Sequence, residues 1–179
     1  VGNIISSNRI AGIATTNGSV NGNIFVRNIV RGNTNAGVIL YAGTNNRFLN
    51  NDIYGNRTNG VRIQAGLSNR FVNNILLSNG TRGVTNRGTA TGWEYNDVFG
   101  HARNYANFVA LAVSNANISG NPMFSNAAVG NFRLSGACPV SPAVDAGTTN
   151  GLLAYDDTGV TGNARDMGAF ESAFSQTVA

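Results

Sequence analysis

Lysine is absent from this chain, and all twelve basic residues are arginine. Cysteine occurs once, at Cys138, which excludes an intramolecular disulfide. Histidine also occurs once, at His101, and proline only three times. No stretch is long and apolar enough to span a membrane. No basic run or recognition-helix pattern is present, which argues against a nucleic-acid module. Charged residues make up only 11%, yet hydrophobic residues reach 42% and are regularly spaced, so the low charge does not signal disorder.

Asparagine is abundant, at about one residue in six, and glycine numbers 23. The 179 residues suffice for one domain with a sizeable core. The net charge of +4 favours acidic partners such as uronic polysaccharides. The chain opens Val1-Gly2-Asn3 without an initiator Met or a signal peptide. It reads as a processed chain or a piece of something longer.

An internal repeat organises the first half. Ala11-Gly12-Ile13, Ala36-Gly37-Val38, Asn59-Gly60-Val61 and Arg82-Gly83-Val84 place their glycines at steps of 25, 23 and 23. Asn8, Asn33, Asn56 and Asn79 keep the same steps. Asn46-Arg47-Phe48 recurs 23 residues on as Asn69-Arg70-Phe71. Short apolar runs such as Ile24-Phe25-Val26 and Val38-Ile39-Leu40-Tyr41 read as strands between Asn/Gly corners. No helical period persists, and the Leu-x-x-Leu-x-Leu signature of a leucine-rich repeat is missing. The pattern predicts an all-β, right-handed parallel β-helix of about 23 residues per coil with an irregular C-terminal cap. Coils occupy 1–118, regular to about 92 with a longer last coil over 93–118, and 119–179 form the capping segment. Ile4, Ile29, Ile53 and Leu76 are expected in one stack, Ile13, Val38, Val61 and Val84 in a second. Phe48 and Phe71 are expected to pair, and Asn8, Asn33, Asn56 and Asn79 to form an amide ladder of the cross-β kind.

After Gly92 come Tyr95-Asn96-Asp97-Val98-Phe99-Gly100, Asn121-Pro122-Met123-Phe124, Asn131-Phe132-Arg133-Leu134, Ser141-Pro142-Ala143-Val144-Asp145-Ala146-Gly147 and Asp166-Met167-Gly168-Ala169-Phe170-Glu171. In that order they resemble the YNDVWGN, DPLF, DFRL, SPAIDAG and DIGAYE stretches of bacterial secreted right-handed parallel β-helix proteins, a pectate-lyase-like superfamily. The resemblance covers 93–171 by motif and 1–92 by repeat style. It implies a secreted or cell-surface location and a tail that closes the open end, with Phe124, Phe132, Leu134, Val144 and Phe170 as covering residues. Asp145 and Asp166 are expected to bond backbone N–H groups in turns. The first coil enters the repeat at once, which suggests upstream coils or head-to-tail stacking into fibres.

The chemistry is sparse. No cofactor is expected beyond the Ca²⁺ of a lyase, which wants six to eight oxygen ligands; Asp52 is the only acidic residue in 1–92. Arg47, Arg62 and Arg70 are candidates for binding acidic sugars, Arg47 and Arg70 as a stacked strip. A glycoside hydrolase needs two carboxyl groups facing one cleft, and Asp52, Glu94 and Asp97 are the candidates. His101 is a candidate acid-base group. Asp156 and Asp157 form the one candidate cation turn, without the spacing of an EF-hand loop. Cys138 reads as a small buried hydrophobe. Asn-x-Ser/Thr sequons start at Asn17, Asn56, Asn79 and Asn117. Thr15, Thr44 and Thr89 keep no regular Thr-x-Thr pattern for an ice- or mineral-binding face. Two readings result: a non-catalytic extracellular structural or surface module that self-stacks or binds polysaccharide, and a fragment of a polysaccharide lyase or glycoside hydrolase.

Overall fold

A computed structural model describes residues 1–16, 20–107, 115–136, 139–149 and 164–172. Asn/Gly corners break the chain into strands of three to five residues, which wind as successive coils. The first coil holds β1 (Ile4–Ser6), β2 (Ala11–Thr15) and β3 (Ile24–Val26). The second holds β4 (Ile29–Arg31), β5 (Ala36–Leu40) and β6 (Arg47–Leu49); the third, β7 (Asp52–Tyr54), β8 (Asn59–Ile63) and β9 (Arg70–Val72). The fourth holds β10 (Ile75–Leu77), β11 (Arg82–Asn86) and β12 (Gly92–Glu94). β13 (Asp97–Phe99) and β14 (Arg103–Ala106) continue the winding, and Ile118 bridges Asp97 beyond them. Like strands of successive coils pair in parallel, giving a first sheet β1-β4-β7-β10-β13, a second β2-β5-β8-β11-β14 and a third β3-β6-β9-β12.

Alternate residues face inward, so each sheet contributes columns to one core. Ile13, Val38, Val61 and Val84 share register as expected, and Tyr105 extends the column. The expected Phe48–Phe71 pair is the middle of a longer stack, Phe25–Phe48–Phe71–Trp93, with centroids 4.6, 4.6 and 4.8 Å apart. Such contacts add about 0.5–1.5 kcal/mol each beyond buried area.

One expected stack is corrected. Ile4 and Ile29 are in register with Asp52, Ile75 and Asp97, on the outer side of the first sheet. Ile53 and Leu76 align instead with Val30 and Val98, inside. Adjacent apolar residues such as Ile29-Val30 leave the inward face ambiguous, and a one-residue slip moves a side chain to the other face.

The outer column is apolar because the C-terminal segment lies on it. β15 (Phe124–Asn126) and β16 (Asn131–Leu134) form an antiparallel hairpin through a short 3₁₀ turn, Ala127–Val129. Leu134, Val144 and Met167 pack on Ile75, while Phe132 and Ala169 pack on Ile29. The aromatic residues expected across the open end thus lie along the flank: Phe132 meets Tyr54 and Phe124 edge-on, and Phe170 packs beside Ala169. Polar clasps fix the strap at one corner: Arg27 Nε donates to Ala169 O, Gly168 N to Asn73 O, and Asn73 Nδ2 to Thr148 O. Asp145 and Asp166 bond backbone N–H groups, but across the strap rather than within their own turns. Asp166 accepts from Asp145 N and Ser172 N, and Asp145 from Ala164 N.

Candidate functional site

The corners carry three asparagine columns. The expected one, Asn8–Asn33–Asn56–Asn79, is present. Asn3–Asn28–Asn51–Asn74–Asn96–Asn117 and Asn23–Asn46–Asn69 were not anticipated, although their steps of 21 to 25 residues stand in the sequence. In each rung the backbone N–H and Nδ2 of one asparagine both donate to Oδ1 of the next, as at Asn51 on Asn74, at 2.9 Å each. Most interior rungs also donate back to a carbonyl, as Asn51 does to Phe25 O. These buried amides are satisfied and leave no free group for chemistry. Three sequon asparagines, Asn56, Asn79 and Asn117, are buried rungs.

The open polar surface lies on the outer side of the second sheet. A groove of about 370 Å³ runs over β8 and β11, lined by Arg62, Arg82 and Arg87 with Asn35, Thr58, Asn59, Gln64, Thr81 and Thr85. Thr58 Oγ1 donates to Asn35, and Thr81 Oγ1 to Thr58 O, forming a hydroxyl column beside the arginines. With its carboxamide oxygen turned toward the guanidinium, Gln64 accepts from Arg62 at 2.8 and 3.3 Å. Arg82 stands in register with Arg103 on the next strand. No acidic residue lines the groove. Three guanidinium groups without a carboxylate form an anion-seeking surface, because the planar fork matches carboxylate and sulfate oxygens.

Arg47 and Arg70 stack in register on the third sheet, as expected, beside a second groove of about 330 Å³. Arg70 is not free there: it donates to Glu94 at 2.9 and 3.4 Å. The structure therefore separates Arg62 from the other two candidates and pairs it with Arg82 and Arg87, which sequence reasoning missed. Arg82 sat in plain view within a repeat marker, but nothing in the sequence showed which face it takes.

The catalytic candidates do not meet. Asp52 is buried in the outer column beneath the strap, so close to Gly168 that a methyl placed there would stand 2.6 Å from Oδ1. Burial pushes its carboxyl well up, and the Ala169 N–H offsets this only in part. Asp97 lies two strands along, about 9.5 Å away at β-sheet spacing, with Ile75 between. Its Oδ1 accepts from Gly120 N at 3.1 Å, and burial pushes its carboxyl up to about 7. Both face the strap, not an open cleft. Glu94 faces Arg70 on another sheet, and His101 ends an asparagine column. Among the described residues no group of three His, Cys, Asp or Glu is placed to hold a metal. Cys138, Asp156, Asp157 and Asn17 lie outside the described residues.

Three parallel sheets wound around one stacked core, with polar ladders at the corners, define a parallel β-solenoid whose accessible polar feature is an arginine groove. The family model of the right-handed β-helix region matches residues 1–132, and the chain belongs to that family. No curated protein and no solved structure matches it. No helix among the described residues is long and apolar enough to cross a membrane.

Proposed function

We propose that this chain is a non-catalytic surface or secreted module that binds acidic polysaccharide. The observation that supports it is the groove over β8 and β11, where Arg62, Arg82 and Arg87 meet hydroxyl and amide groups with no acidic residue in the lining. A polymer bearing carboxylate or sulfate on successive sugars satisfies several guanidinium groups at once, so modest single contacts add through avidity. The scattered carboxylates, two of them under the strap, favour binding over turnover. Calorimetric titration with polygalacturonate tests the reading, with neutral dextran as control. Binding that weakens with salt and falls in an Arg62→Ala, Arg87→Ala variant is the expected result. Equal binding of dextran, or unsaturated product formed from polygalacturonate with Ca²⁺, overturns it in favour of neutral-sugar binding or of the lyase reading.

A second reading, self-association, rests on the edge of the first coil. Val1, Ile4 and Ile10 are exposed there, and Asn3, Asn8 and Asn23 accept no hydrogen bond through Oδ1 among the described residues. A coil supplied by a second copy would extend all three columns. Sedimentation velocity across a concentration series tests this; a concentration-independent monomer excludes it.

A further inference from the structure

The column Asn8–Asn33–Asn56–Asn79 ends on His101, and that substitution changes what the last rung can tolerate. Asn79 Nδ2 stands 3.1 Å from His101 Nε2, where every earlier rung presents an amide oxygen. His101 Nδ1 stands 3.1 Å from Asn104 Oδ1. Both amide orientations are set independently. Asn79 Oδ1 receives two bonds from Asn56, and its Nδ2 also donates to Ile53 O. Asn104 Nδ2 donates to Ser119 Oγ at 2.7 Å, and Ser119 Oγ in turn donates to Val98 O. An amide nitrogen only donates and an amide oxygen only accepts. The imidazole is therefore neutral, with its proton on Nδ1 and its lone pair on Nε2 toward Asn79.

We propose that His101 is an acid-sensitive latch on the last coil: a proton added at Nε2 sets donor against donor at the Asn79 rung and frees β13–β14 from β10–β11. Asn79 cannot turn over to rescue the rung without breaking its bonds to Asn56 and Ile53. The ring also packs close to Gly83, where a methyl would stand 3.1 Å from Cε1. Among the described residues, the charged and titratable groups on the neighbouring strands are Arg82 on β11, Asp97 on β13, and Arg103 and Tyr105 on β14. Arg103 Nε donates to Tyr105 O, and Asp97 Oδ1 is taken by Gly120 N. None of the four bonds the imidazole, so no carboxylate there holds a proton on it. Burial acts in the same sense and lowers its pKa. A histidine with a lowered folded pKa keeps its full contribution above the unfolded value of about 6.5. The contribution is lost as pH falls from there through the folded value.

The test is nitrogen-15 NMR of the imidazole, combined with hydrogen exchange of the Arg103 amide, which bonds Thr81 O across the β11–β14 edge. At pH 7.5 the expected spectrum is that of a neutral ring protonated on Nδ1. Its titration midpoint falls below that of free histidine, and Arg103 protection drops along the same curve, up to about tenfold for each unit by which the midpoint is lowered. In His101→Asn the rung regains an amide oxygen, and the acid loss of protection disappears: between pH 7.5 and 5 protection holds or rises. A midpoint at or above that of free histidine overturns the proposal, as does the same acid loss of protection in His101→Asn. The wild-type titration decides the matter even if the variant does not fold.

Discussion

Gly37 and Asn56 share one space: a methyl on Gly37 would stand 2.8 Å from Asn56 Nδ2 and as near Gly60 O. The same holds for Gly12 with Asn33 and Gly60 with Asn79. Two sequence markers that keep the same steps are thus one feature, a glycine that makes room for the amide of the coil stacked on it. Gly37→Ala is expected to lose about 1–3 kcal/mol, the usual cost of overpacking a site that cannot give. Denaturant unfolding measures it. The same change at Gly55, which has open space but a φ of +59, makes a control for backbone strain alone.

Asn51 donates to Phe25 O, Leu49 O and Asn74 Oδ1 with the same Nδ2. Asn51→Asp replaces that donor with an acceptor facing three acceptors and buries a charge. A loss on the order of 3–5 kcal/mol at neutral pH is expected. Protonation restores a donor, so the deficit should shrink as pH falls from neutral toward about 4. A deficit independent of pH would show that the amide only fills space.

These columns were readable because the required residue type is narrow. A corner rung needs one acceptor and two donors on a short stem, so asparagine recurs at the coil period and announces itself. The outer column Ile4–Ile29–Asp52–Ile75–Asp97 was not readable, because both neighbours in Ile29-Val30 and Ile75-Leu76 are apolar and both become buried. A period of two marks the core only when one face stays wet. The strap that covers the column bonds the coils over long separations, such as Asn50 Nδ2 to Asp166 O, and such pairings leave no local pattern. The arginines were visible as residues, but their grouping by face depends on register. Glu94 reaches Arg70 from the next coil, which no short window displays.

Asp97 sets a pH dependence opposite in sign to that of His101. Its folded carboxyl titrates near 7, against about 3.9 in the unfolded chain. Between these values the fold holds a proton that the unfolded chain has released, so stability falls as pH rises from about 4 to 7. Asp97→Asn keeps an oxygen for Gly120 N and removes the charge. It is expected to gain on the order of 3 kcal/mol at pH 8 and little at pH 4, read as the difference in unfolding midpoint at the two pH values. A variant less stable than wild type at pH 8 would show that the ionised carboxylate is needed.

Glu94 occupies one of the two arginines on the third sheet, and its removal should strengthen binding. In the native chain Glu94 holds Arg70 by two hydrogen bonds, leaving Arg47 above it as the free cation of that strip among the described residues. Both partners are about one-third exposed, so the ion pair contributes at most about 1 kcal/mol to stability. Glu94→Gln should leave the unfolding midpoint nearly unchanged while raising net charge and freeing a second guanidinium one strand from the first. Polygalacturonate affinity at low salt is then expected to rise several-fold, with the gain vanishing at high salt and cancelled by Arg47→Ala. The groove over β8 and β11 lies on another sheet, so the affinity lost in Arg62→Ala, Arg87→Ala should add to this gain independently. If Glu94→Gln instead weakens binding, Glu94 orients Arg70 for the ligand, and the two-arginine strip belongs to the site as a preformed unit.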